Sequence, residues 1–102
     1  MNRFLFIKPK AEADLESAKH WLNDQRDGLG EEFLDAVEVA FGRILATPDM
    51  HQIIRADVRR AVIRRFRYLV FYRVKPDRVT VLAVLDGRRD PSTWIERFYD
   101  VD

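Results

Sequence analysis

Residues 57–74 carry the side chains in this sequence that are best suited to binding an anion. The stretch reads DVRRAVIRRFRYLVFYRV, and residues 55–74 contain seven arginines, no lysine, no histidine and one carboxylate, Asp57. A guanidinium group pairs with a carboxylate or a phosphate through two parallel hydrogen bonds, but its pKa above about 12 makes it a poor general base. The stretch therefore predicts a binding role more readily than a catalytic one.

A proton-transfer reaction would need an ionisable group beside these arginines. His51 is the better candidate of the two histidines, because His20 falls within a helical pattern. Tyr68 and Tyr72 carry hydroxyls, yet tyrosines four apart in a strand more often pack than catalyse. Asp86 lies close before two arginines, so its carboxylate is more readily explained as a salt-bridge partner than as a general base. The sequence assigns no catalytic residue, no metal ligand and no cofactor.

Charge is segregated along the chain even though the formal net charge is only +1. Residues 11–50 carry a net charge of −7, and residues 51–75 carry +7. A basic flank of this kind suits a nucleic acid or an acidic protein. Phe66 and Phe71, interleaved with arginines, could stack bases, but their spacing equally fits a strand that faces a core. We expect a protein partner and no direct binding of free nucleic acid.

Hydrophobic periodicity predicts one α+β domain over residues 1–102. The expected order is an N-terminal strand, an antiparallel helical hairpin packed on a mostly antiparallel sheet of about four strands, and a short C-terminal helix. A further weak strand is expected at residues 51–55. The predicted strands cover residues 3–7, 58–63, 68–74 and 79–85; the first helix runs from Pro9 to Asp27-Gly28, the second carries Phe33 to Leu45, and the last opens at Asp90-Pro91 and carries Trp94 to Tyr99.

Two features of the composition indicate a cytoplasmic location. The chain has no cysteine, so a disulfide framework and a thiolate metal site are both excluded. Only four consecutive apolar residues precede Lys8, which is far fewer than the core of a signal peptide or a membrane span needs. We therefore expect no membrane association.

Three stretches together resemble the RelE/ParE superfamily of toxins from bacterial type II toxin–antitoxin systems, and the chain is closer to the ParE-like members. They are NDQRDGLGEEFLDAVEVAFGRILATPD, VRRAVIRRFRYLVFYRV and VLAVLDGRRDPSTW, which cover almost the whole chain. The resemblance implies a toxin that a cognate antitoxin neutralises by wrapping it. Asp86 stands where many ParE-like sequences have a histidine before Gly-Arg-Arg, so no role of that histidine is transferred to this chain.

The resemblance leaves three functions open. ParE-like members are associated with inhibition of DNA gyrase, RelE-like members cut messenger RNA on the ribosome, and a degenerate member would only bind its antitoxin. The arginine cluster without an evident base favours the gyrase inhibitor. Either a homodimer or a toxin–antitoxin hetero-oligomer is compatible with the resemblance. The residues predicted to face a target or partner are Arg59, Arg60, Arg64, Arg65, Arg88 and Arg89.

Overall fold

The computed structural model describes residues 3–98 and shows a five-stranded sheet with two long helices on one face. The strands lie in the order β1-β5-β4-β3-β2, with β1 parallel to β5 and every other pair antiparallel. The elements are β1 (Phe4–Ile7), α1 (Pro9–Gln25), α2 (Leu29–Ala46), β2 (Gln52–Arg55), β3 (Val58–Ile63), β4 (Tyr68–Val74), β5 (Arg78–Asp86) and α3 (Ile95–Phe98).

The predicted α+β class and order of elements are confirmed, with two differences in the sheet. The weak strand expected at residues 51–55 is present as β2, so the sheet has five strands rather than about four. The N-terminal strand β1 pairs with β5 in the parallel direction. This is possible because the two helices of the hairpin lie between β1 and the antiparallel strands in the chain.

The helical hairpin forms because each helix has an apolar stripe and a suitable boundary. Pro9 stands in the first turn of α1, where its missing N–H costs nothing. Helix α1 ends at Gln25, two residues before the predicted Asp27-Gly28 stop, and Gly28 adopts a left-handed φ of 86° at the start of α2. The apolar face of α2 is the predicted one, and its buried residues include Phe33, Val37, Ala40, Phe41 and Ile44.

Two apolar layers lie on the two faces of the sheet. The larger one is packed between the helices and the sheet, and it includes Phe33 and Tyr72, both fully buried. On the opposite face, the rings of Trp94 and Phe98 lie 5.1 and 5.2 Å from the ring of Phe71. The C-terminal segment therefore covers the middle of that face, while Phe4, Phe6 and Val62 remain exposed at its two sides.

The short C-terminal helix that the sequence predicts is confirmed, but the segment begins with a 3₁₀ turn. The Asp90 side chain caps the start by accepting a hydrogen bond from the Ser92 N–H at 3.0 Å, as expected. The helix then divides into a 3₁₀ turn, Pro91–Thr93, and α3. The predicted contribution of Tyr99 lies outside the described residues. No helix within residues 3–98 is long and apolar enough to cross a membrane.

Two glycines of α2 give a matched test of the helix contact. A Cβ on Gly30 would lie 2.5 Å from the Lys19 carbonyl oxygen of α1, whereas a Cβ on Gly42 would meet no atom within 4 Å. We expect Gly30→Ala to lower the free energy of unfolding by about 1–3 kcal/mol through overpacking, and Gly42→Ala to raise it by about 0.5–1 kcal/mol through helix propensity. Urea denaturation measures both changes, and a stabilised Gly30→Ala variant would contradict the close packing of α1 on α2.

Candidate basic binding surface

Two arginine-bearing turns meet at one end of the sheet. The β3–β4 turn, residues 64–67, is joined to the segment after β5 by a hydrogen bond of 2.8 Å from the Gly87 N–H to the Arg67 carbonyl oxygen. A Cβ on Gly87 would lie 2.6 Å from that oxygen, so the approach requires glycine. We call the five arginines of these two turns the basic edge: Arg64, Arg65, Arg67, Arg88 and Arg89.

If the alternation of residues 58–63 were extended to Arg64 and Arg65, these two arginines would lie on opposite faces of the strand, and the structure contradicts this. The strand ends at Ile63, and both arginines lie in the turn. Arg65 and Arg67 have φ angles of 78° and 61°, in the left-handed region that residues other than glycine seldom adopt. Such strain often accompanies function, and the turn projects arginines at the end of the sheet rather than across its faces.

Two members of the basic edge are neutralised by neighbouring carboxylates. Arg65 donates a hydrogen bond of 2.6 Å to Glu32 of α2, and this bond, with a second from Arg26, lowers the pKa of Glu32 below its usual value. Arg88 donates two hydrogen bonds of 2.9 Å to the two oxygens of Asp86, which lowers the pKa of that carboxyl. The salt bridge expected for Asp86 is therefore confirmed.

The other three members of the basic edge are not neutralised by a carboxylate of the described chain. Arg64, Arg67 and Arg89 are exposed, and within residues 3–98 none of them forms an ion pair or donates a side-chain hydrogen bond. Arg67 was not among the predicted site residues, because it falls between the predicted strands 58–63 and 68–74 and no local pattern distinguishes it from its neighbouring arginines. Its significance comes from the turn that brings it beside the segment after β5.

The other two predicted arginines lie apart from the basic edge, towards the start of β3. Arg59 donates hydrogen bonds of 3.0 and 2.8 Å to the carbonyl oxygens of Asp49 and His51. Its side chain is only 19% exposed, so Arg59 ties β3 to the chain that precedes β2. Arg60 points to the opposite face, is half-buried, and pairs across the sheet with Phe71. The structure thus separates Arg59 and Arg60 from the other four.

The candidate proton carriers are engaged in structural contacts. The buried Tyr72 hydroxyl donates a hydrogen bond of 2.7 Å to the Pro48 carbonyl oxygen, and burial raises the pKa of Tyr72 to about 12. The His51 ring lies edge-on to Tyr72 with its Nδ1 buried and without a partner among the described residues, and burial lowers its pKa. Burial also raises the pKa of Tyr68. The described residues contain no cluster of three or more His, Asp or Glu side chains that could hold a metal ion.

A groove of about 570 Å³ adjoins the basic edge between α1 and the end of β5. Its walls include Trp21, which is half-exposed, Tyr68 and Arg89. At its side, Arg97 donates two hydrogen bonds of 3.0 and 2.9 Å to Asp14. Sequence reasoning missed this pair, since 83 positions separate the two residues and no local pattern links them.

A helical hairpin over a five-stranded sheet, with a cluster of arginines at one end, defines a small α+β domain. Residues 5–91 match the family model for the ParE toxin of type II toxin–antitoxin systems, parDE, and the chain belongs to this family. The chromosomal ParDE toxin–antitoxin system from P. aeruginosa includes a chain of the same fold, with a TM-score of 0.63, 19% identity, and coverage of 82% of this chain and 95% of that one. No curated protein sequence matches this chain. The resemblance seen in the sequence is confirmed.

Substitutions of Arg59 and Arg64 compare the contribution of a structural arginine to stability with that of a solvent-facing one. Arg59→Ala would leave the Asp49 and His51 carbonyls without their donor, so we expect the free energy of unfolding to fall by about 1–3 kcal/mol. Arg64→Ala removes no contact within the described chain and should change it by less than about 0.5 kcal/mol. Chemical denaturation of the two variants side by side tests this difference. Equal losses would show that Arg64 also supports the fold.

The burial of His51 predicts a pH dependence of stability. Its pKa is lowered in the folded chain from the usual 6.5, so folding favours the neutral ring. The corresponding stability is present above pH 6.5 and is lost as the pH falls through the folded-state pKa. We expect the free energy of unfolding to drop between pH 7.5 and about pH 5, and His51→Gln to reduce that drop. An NMR titration of the His51 ring with a midpoint above 6.5 would contradict this sign.

Proposed function

We propose that this ParE-family chain is a toxin that inhibits DNA gyrase through the basic edge and that a cognate antitoxin neutralises it. Family membership supports the toxin role, and the gyrase target follows from the ParE-like character of the sequence. The observation that carries the proposal is the set of exposed arginines that form no ion pair within the described chain: Arg64, Arg67 and Arg89.

These arginines suit the surface of a protein target. Guanidinium groups bind carboxylates in a planar, two-point geometry, and arginine is enriched at the energetic centres of protein interfaces. The charges lie on two turns joined by the Gly87–Arg67 hydrogen bond, so they keep a defined spacing. Charges of this kind steer encounter with an acidic patch, and the resulting association weakens as salt rises.

The same geometry argues against cleavage of RNA at the basic edge. Such a reaction needs a group that accepts a proton from a ribose hydroxyl. The carboxylates in contact with the edge, Glu32 and Asp86, accept hydrogen bonds from Arg65 and Arg88, which lowers the pKa of both. The nearby Tyr68 has a raised pKa and stays protonated. His51 lies near Arg59, apart from the basic edge. Binding without chemistry is the function that this arrangement supports best.

To neutralise the toxin, an antitoxin must either cover the basic edge or prevent the target from reaching it. An antitoxin segment that carries carboxylates would compensate the three available charges. The groove beside Arg89 offers an apolar wall, Trp21, next to that charge. A segment that combines acidic and aromatic side chains therefore fits this end of the molecule.

The proposal is tested by measuring DNA supercoiling by gyrase in the presence of the purified chain, alongside cleavage of messenger RNA on primed ribosomes. We expect inhibition of supercoiling with intact RNA. The variant R64Q/R89Q should weaken inhibition by about tenfold or more, because it removes two arginines of the interface. The matched variant R43Q/R78Q removes the same charge from α2 and from the distant start of β5 and should inhibit as the parent does.

Three other outcomes would each overturn part of the proposal. Cut messenger RNA with active gyrase would show a ribosome-dependent nuclease. Activity in neither assay, with tight binding to the antitoxin, would show a chain that only binds its antitoxin. Equal inhibition by both double variants would place the gyrase contact away from the basic edge.

A further inference from the structure

The two edges of the sheet are protected to very different degrees. At one edge, the register of β2 shifts between Ile53 and Arg55, and the strand carries the polar residues Gln52 and Arg55. Bulges and charged residues are common devices that stop an edge strand from pairing with another chain. At the other edge, β1 is a regular four-residue strand, Phe-Leu-Phe-Ile, that has neither device. The unprotected edge is therefore β1.

The outward backbone groups of β1 can be assigned from the hydrogen bonds to β5. The N–H groups of Phe4 and Lys8 donate to the carbonyl oxygens of Asp77 and Val81 at 3.3 and 3.1 Å. Because backbone groups alternate in direction along a strand, the N–H groups of Leu5 and Ile7 point away from β5. Strand β1 is the last strand on this side within the described chain, so these groups lie where an added strand would pair.

The open face beside this edge has an apolar hollow with an unsatisfied polar atom. Phe4 and Phe6 are 55% and 43% exposed, and with Arg78 and Thr80 they line a hollow of about 240 Å³. Thr80 is 1% exposed, and its buried hydroxyl has no hydrogen-bond partner within residues 3–98. Buried polar atoms in native proteins are nearly always paired. The exposed Phe4 and Phe6 make this apolar face incomplete, which indicates a missing contact.

The positive charge around β1 indicates what kind of segment can pair with it. The segment from Arg3 to Lys10 contains three basic residues and no acidic one, and Arg78, which pairs with Asp77 at 3.6 Å and is partly exposed, lines the hollow. If two copies paired antiparallel through β1, the two basic segments from Arg3 to Lys10 would lie beside each other, and like charges brought together across a strand pair are destabilising. The edge therefore disfavours a second copy and favours an acidic segment.

We propose that β1 is a docking edge for an extended acidic segment of a partner protein, which adds to the sheet as a sixth strand. Its backbone pairs with the N–H and C=O groups of Leu5 and with the N–H of Ile7. Its alternate apolar side chains pack on Phe4 and Phe6, and its carboxylates pair with Arg3 and Arg78. Addition of a strand to an exposed sheet edge is a common mode of peptide recognition.

This inference does not depend on the gyrase proposal. Strand β1 pairs with residues 78–81 at the start of β5, whereas the basic edge lies after its other end at Asp86. A change in β1 that abolishes strand addition should leave gyrase inhibition by the free chain unaltered, so the failure of one proposal is distinguishable from the failure of the other.

The probe is a synthetic peptide, acetyl-Glu-Glu-Val-Phe-Val-Phe-Glu-Glu-amide, titrated into the full chain and followed by fluorescence anisotropy of an attached dye. We expect saturable binding that weakens by about tenfold or more when every Glu is replaced by Lys. Binding should weaken similarly with the variant Phe6→Lys, which tests the apolar contact. The matched variant Ile53→Lys, at a 51% exposed residue of the opposite edge strand, should bind as the parent does.

Hydrogen exchange distinguishes strand addition from simple side-chain docking. On binding, exchange of the Leu5 and Ile7 amides should slow by about tenfold or more, because they gain hydrogen bonds, while that of the Phe6 amide, which already faces β5, should change little. Four results would overturn the inference: no binding of the acidic peptide, equal binding of the lysine peptide, unchanged exchange at Leu5 and Ile7, or a concentration-dependent homodimer that Phe6→Lys abolishes. The last would show that the edge pairs with a second copy instead.

Discussion

The burial of β4 and β5 on both faces is the constraint on which the rest of this structure depends. From Val79 to Val84 every residue of β5 is almost fully buried, because the helical hairpin covers one face and the C-terminal segment covers much of the other. Paired strands buried on both faces cannot shift register without exposing apolar side chains. Their ends are therefore held in place, and so are the turns that leave them.

The basic edge is a consequence of that fixed register. Tyr68 begins β4 directly opposite Asp86, the last residue of β5, so the turn before one strand and the segment after the other must meet. The Gly87–Arg67 hydrogen bond closes this meeting point. The basic edge, built on two turns, thus gains rigidity from the buried strands behind it, which is how a small domain presents several charges at a defined spacing.

Arginine serves three different purposes in this chain. Arg59 and Arg97 are structural, since each donates hydrogen bonds to backbone carbonyl oxygens of other segments. Arg65 and Arg88 are compensated by carboxylates at the rim of the basic edge. The remaining exposed arginines of that edge carry uncompensated charge. The high arginine content of the sequence therefore combines contributions to folding, local neutralisation and exposed charge, and only the geometry separates the three.

The sequence by itself determined the α+β class, the helical hairpin and the family, because these depend on the periodicity of apolar residues and on characteristic stretches that are local in the chain. The alternation of residues 58–63 placed Arg59 and Arg60 on opposite faces, as the structure shows. The tertiary structure alone decided that Arg64 and Arg65 lie in a turn, that Arg67 joins Arg89 at one edge, and that Arg97 reaches Asp14. These relations link residues that are distant in the chain. They are set by strand register and long-range packing, and a local sequence pattern encodes neither of these.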